Sequence, residues 1–164
     1  MGLIRRATVA LLLGLVSRMA AQTIVSEALS RDMLAAHNQV RNKVGVPPLT
    51  WSQKLAAVAQ QWAEELLATG KLSHRPKPQY GENLFEIRGT HPNPAQVVAD
   101  WAAEARDYDA AVKACRTEAV CGHYTQLVWR NTKQVGCGVA RGPDREVWVC
   151  NYDPPGNVAG ERPY

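Results

Sequence analysis

From Ser30 onward, Met33, Leu34, His37, Val40 and Val44 recur three or four residues apart. That spacing predicts a helix with one buried face, ended by Gly45 and the pair Pro47-Pro48. A second helix is predicted from the capping-box pattern Thr50-Trp51-Ser52-Gln53, with Thr50 as N-cap. It carries Leu55, Ala59, Trp62 and Leu66 on one face and stops at Gly70. Asn93-Pro94 opens a third helix, an N-cap followed by proline in the first turn, with the apolar stripe Val97, Val98, Trp101 and Ala105. A short amphipathic stretch lies near His123–Arg130.

Strand signals are fewer and mostly late. Leu84–Ile87 is one candidate, and Val135–Ala140 and Val147–Tyr152 flank the turn Gly142-Pro143-Asp144 as a hairpin. Helices come first and strands last, which predicts an α+β fold with a mainly antiparallel sheet. The chain of 164 residues is a length for one domain, and no internal repeat or interior linker interrupts it.

Charge changes the picture only after the N-terminus is read. Nineteen Lys and Arg against 15 Asp and Glu give a net +4, which invites nucleic acid as a partner. Residues 1–21 read as a secretory signal peptide, with Arg5 and Arg6 before an apolar run and Ala20-Ala21 before Gln22. The run is short of the ~20 residues a spanning helix needs. Removing residues 1–21 takes away three arginines and no acid, leaving 22–164 at +1 as the mature domain. No nucleic-acid partner and no membrane span in the mature chain are expected. A secreted, extracellular or periplasmic location also makes Cys115, Cys121, Cys137 and Cys150 readable as disulfides. Four cysteines allow three pairings. The local one, Cys115–Cys121 with Cys137–Cys150, closes two short loops, and its second bridge would tie the hairpin arms together.

Few residues could carry chemistry. Glu104 follows Trp101 by three and Val97 by seven, so it projects from the apolar face of the third helix. A carboxylate there must be paired, bind metal or face a cleft. Glu82 precedes a predicted strand, His74 lies eight residues upstream, and His123 opens the last short helix. Two histidines and two glutamates suit zinc or another divalent ion. His37 and His91 are assigned no site role. No nucleophile motif or glycine-rich phosphate loop is present in the sequence.

The stretch Gly122-His123-Tyr124-Thr125-Gln126-Leu127-Val128-Trp129-Arg130-Asn131-Thr132 resembles a signature of the CAP superfamily, and Val149-Cys150-Asn151-Tyr152-Asp153-Pro154-Pro155-Gly156-Asn157 resembles a second. That superfamily groups cysteine-rich secretory proteins, venom antigens and plant pathogenesis-related proteins. His37-Asn38 with Arg41, Gly81-Glu82-Asn83, and Trp101 ahead of Glu104 add to the likeness, which runs from about Asp32 to the C-terminus. The resemblance implies a single-domain α-β-α sandwich whose cleft holds two His and two Glu, here His74, Glu82, Glu104 and His123. The plant-type relatives usually carry six cysteines. This chain has four and shows only Gly70-Lys71 where one of the others is expected. The closing segment Pro154–Tyr164 is similar to the C-terminal peptide of plant relatives and is read here as a tail packed over the domain end.

Three functions follow from the resemblance. The first is a secreted, non-enzymatic binding module with divalent metal in the cleft, zinc foremost, and sterol, fatty acid or an extracellular protein as partner. The second is a metal-dependent hydrolase using the same His/Glu cluster. The third is a structural or host-interaction protein in which the cluster only stabilises the fold.

Overall fold

The computed structural model describes residues 26–112 and 114–164, so the signal peptide expected at 1–21 lies outside the described residues. Helix α1 (Glu27–Lys43) starts at Ser26, whose hydroxyl accepts the Leu29 N–H. Strand β1 (Thr50–Trp51) precedes α2 (Gln53–Thr69), then β2 (Gly81–Arg88) and α3 (Pro94–Ala103). A 3-10 turn at Glu104–Asp107 leads into the small pair β3 (Tyr108–Asp109) and β4 (Ala114–Cys115). Helix α4 (Gly122–Leu127), β5 (Gln134–Arg141) and β6 (Arg145–Asp153) complete the order.

The main sheet has the order β1-β5-β6-β2. Strands β5 and β6 form the predicted hairpin, β2 pairs antiparallel with β6, and only β1 runs parallel to its neighbour β5. The sheet is therefore mixed and mostly antiparallel, with helices on both faces. Strand alternation sorts the core. Val147 and Val149 of β6 face α2 together with Ala59, Trp62, Ala63 and Leu66. Trp148, Cys150 and Tyr152 point the other way, into a core shared with Met33, Val97, Val98, Trp101 and Leu127. On the α2 side β5 presents Gly136 and Gly138, where a Cβ would run into the backbone of Ser52, Leu55, Ala56 and Gln60. Missing side chains let α2 lie directly on the strand.

Two disulfides form in the local pairing, Cys115–Cys121 and Cys137–Cys150. The second joins directly opposite positions of β5 and β6. Three sequence expectations are corrected. The N-cap of α2 is Ser52, whose hydroxyl accepts the Leu55 N–H, and not Thr50. Thr50 instead joins β1, because its N–H bonds the Lys133 carbonyl and extends the backbone. Helix α3 ends at Ala103, so Glu104 begins the 3-10 turn and Ala105 is exposed. Among the described residues, no helix is long and apolar enough to cross a membrane.

Candidate functional site

The structure gathers the four predicted site residues as two His–Glu pairs. His123 Nδ1 lies 2.7 Å from Glu104 Oε1. The other oxygen of Glu104 accepts the backbone N–H groups of His123 at 2.9 Å and Tyr124 at 3.2 Å. Cys121, the residue at the N-cap of α4, supplies no side-chain cap. Glu104 therefore satisfies the first-turn donors of α4 from a different element, and one carboxylate fixes both the helix and the imidazole. The His123 ring also stacks on Trp101, with centroids 6.2 Å apart and planes 22° from parallel.

The second pair is built differently. His74 Nδ1 lies 2.8 Å from Glu82 Oε1, which also accepts the Arg75 N–H at 3.1 Å. His74 sits in the irregular segment between α2 and β2, and its side chain is 62% exposed while that of Glu82 is 3% exposed. Glu82 Oε2 is buried and has no hydrogen-bond partner among the described residues. Asn83, next along β2, donates from Nδ2 to the His123 carbonyl at 3.1 Å and so ties the two halves together.

Each glutamate occupies the Nδ1 side of its histidine and leaves Nε2 without a hydrogen bond among the described residues. That is the arrangement by which carboxylates orient metal-binding imidazoles. The four residues do not close into one tight group: the one set of three or more His, Cys, Asp or Glu within mutual ligand distance among the described residues is His37, Cys137 and Cys150. That set is no metal site, because both sulfurs are in the disulfide and both His37 nitrogens are engaged.

His37 and Arg41 are the polar residues whose weight sequence reasoning missed. His37 Nδ1 donates to the Met33 carbonyl at 2.7 Å, which leaves Nε2 to accept the Tyr152 hydroxyl at 3.0 Å. Complete burial holds its pKa down to about 4, and burial pushes the Tyr152 phenol well above its usual range. The His37 ring meets the edge of Trp101 at 6.3 Å, so His37, Trp101 and His123 form one aromatic column under the site. Arg41, fully buried, donates to the carbonyls of Pro47, Leu127, Trp129 and Thr132. Desolvation lowers its pKa to about 10, which still leaves it charged at neutral pH. A signal was available: Met33, His37 and Arg41 lie four apart, so two polar residues continue the apolar face of α1.

His91 has a structural partner too. Its Nδ1 and the Arg141 Nε both bond Glu146 Oε1 at 2.7 Å, and the Trp148 indole donates to Oε2 at 3.0 Å. The C-terminal segment packs on α4 as expected. Asn157 bonds the Thr125 hydroxyl and the Gly122 carbonyl, Gly156 N–H bonds Gln126, and the Tyr164 hydroxyl meets that of Tyr124 at 3.0 Å.

Comparison with known proteins agrees with this architecture. The chain is 48% identical over 135 residues to pathogenesis-related protein 1A of Nicotiana tabacum, covering 82% of this chain and 80% of that protein. It is 41% identical over 150 residues to a PR-1 type pathogenesis-related protein of Sambucus nigra, covering 87% and 86%. Venom allergen-like protein 4 of Schistosoma mansoni superposes with a TM-score of 0.67 at 28% identity, over 85% of this chain and 95% of that one. NaASP2, solved with Zn2+, shares the fold at a TM-score of 0.67 and 20% identity, over 87% of each chain. The pattern of the cysteine-rich secretory protein (CAP) family matches residues 34–152. With that match across most of the chain, on the α-β-α sandwich described above, the protein belongs to the cysteine-rich secretory protein (CAP) family.

Proposed function

We propose that the protein is an extracellular, non-enzymatic binding module that holds a divalent cation, zinc foremost, between His74 and His123. The carrying observation is that each imidazole has a carboxylate on Nδ1 and a free Nε2. In this reading the two Nε2 atoms are the ligands, and Glu82 and Glu104 orient them and raise their basicity. Export by residues 1–21 completes the reading, supported by the two disulfides and by the family.

The hydrolase reading needs a general base beside the metal. Both oxygens of Glu104 are committed to His123 and to the α4 backbone, and Glu82 Oε2 is shut off from solvent. The arrangement favours holding over turnover. Sterol or fatty-acid binding rests on the family likeness, and retention of labelled sterol by the secreted protein tests it.

Zinc titration calorimetry on the mature chain tests the metal reading. His74→Ala and His123→Ala should each weaken binding more than tenfold, and Glu104→Gln by about 10–100-fold. Zinc affinity unchanged in both histidine variants overturns it.

A further inference from the structure

We propose that the cleft between α2 and the segment 75–80 binds an acidic saccharide, a sugar unit carrying a carboxylate. The cleft has a volume of about 400 Å³ and is lined by Lys54, Arg75, Lys77, Tyr80, Glu82 and Asn151, among others. That volume lies within the ~300–1,000 Å³ usual for small-molecule sites.

Its floor is polar and incompletely bonded. Glu82 and Asn151 sit opposite each other on β2 and β6. Among the described residues Glu82 Oε2, Asn151 Oδ1 and Arg75 Nε are buried without a hydrogen-bond partner. Glu82 Oε1 is held by His74 and the Arg75 N–H, Asn151 Nδ2 donates to the Gly81 carbonyl, and Arg75 Nη2 donates to the Val58 carbonyl while its guanidinium lies over the Trp62 ring, 4.7 Å from the centroid. Leaving such groups unpaired costs about 1–3 kcal/mol each. Two acceptors and one donor at close quarters call for hydroxyls, which both donate and accept.

The rim has a different character. Lys54 and Lys77 are exposed, and Lys54 Nζ stands 6.0 Å from the Tyr80 ring centroid. Lys77 lies between Pro76 and Pro78 with φ of 51°, a backbone that non-glycine residues seldom adopt. With Arg75, three cations surround one carboxylate, so the local balance favours an anion and opposes a simple amine. A ligand with hydroxyls for the floor, a carboxylate for the rim and a ring face for Tyr80 is a sugar acid. The three floor atoms are buried, so a ligand pairs with them only by displacing the side chains that cover them.

This site uses the second oxygen of Glu82 and does not rest on the metal reading. Digalacturonate, its methyl ester and short polyglutamate are titrated calorimetrically into the full chain, with and without a metal chelator. Digalacturonate should bind, the ester at least tenfold more weakly, and Lys54→Ala with Lys77→Ala should abolish binding while leaving the melting temperature unchanged. Binding should survive chelation and His123→Ala, so loss of metal leaves this result standing. Three outcomes overturn the proposal: no binding of digalacturonate, equal binding of the ester, or equal binding of polyglutamate, which would mean unspecific charge attraction.

Discussion

The two His–Glu pairs have the same chemistry and opposite supports. In His123–Glu104 the imidazole is 31% exposed, starts a helix, stacks on Trp101, and its carboxylate also caps that helix. In His74–Glu82 the imidazole is 62% exposed and leaves from irregular backbone, while the carboxylate is anchored in the sheet and keeps one oxygen free. One half is held at the histidine, the other only at the glutamate. The first half has more hydrogen bonds and less exposed surface than the second, and it should cost more to disturb.

The largest effect is expected at Arg41, which ties α1 to the end of α4 and the segment after it through the carbonyls of Leu127, Trp129 and Thr132, and also holds the Pro47 carbonyl. Arg41→Ala strands those carbonyls and should cost about 3–5 kcal/mol in urea unfolding. A loss below about 1 kcal/mol would show that α4 is anchored elsewhere.

Acidification should strike the same half through His37. Its pKa is about 4 in the folded protein against 6.5 for an unperturbed histidine. Above pH 6.5 both states are neutral and the contribution is fully present. As pH falls from 6.5 toward 4, the unfolded chain takes up a proton that the folded one refuses. Stability should drop by about 3 kcal/mol across that window, an order-of-magnitude figure. His37→Gln should flatten that part of the profile, and a profile equally steep in the variant assigns the dependence to other groups.

The comparison is sharpest between the carboxylates. Glu104→Ala removes three hydrogen bonds, two of them at the start of α4, and should cost about 1–3 kcal/mol. Glu82→Ala removes a buried carboxylate that is itself half unsatisfied and should cost less than about 1 kcal/mol. Equal losses in thermal melts would erase the distinction. The smallest effect is His74→Ala, expected within about ±0.5 kcal/mol of the parent as an exposed substitution.

Much of this was legible in the chain. The spacing of Met33, His37 and Val40, the stripe Leu55–Leu66 and the cap Asn93-Pro94 placed three helices, because helical periodicity is a local property. The α2 N-cap was misplaced by two residues, because Ser52 and Thr50 are both competent caps. A long-range bond decided between them, Thr50 N–H to Lys133, which no local pattern encodes. Glu104 was singled out as a carboxylate on the apolar face of the third helix, but it lies just past that helix, in the 3-10 turn. Its partner could not be read from spacing, since it binds His123 nineteen residues later.

By itself, then, the sequence determined the helices, the hairpin and the chemical types available at the site. Those follow from periodicity, turn residues and the cost of an unpaired charge on an apolar face, all properties of short stretches. Tertiary structure decided which histidine met which glutamate, which of three disulfide pairings formed, and that two pairs of equal chemistry would differ in burial and hydrogen bonding. Those outcomes depend on closing long loops around a shared sheet, where the backbone donors of α4 happen to face Glu104 and the free oxygen of Glu82 faces none.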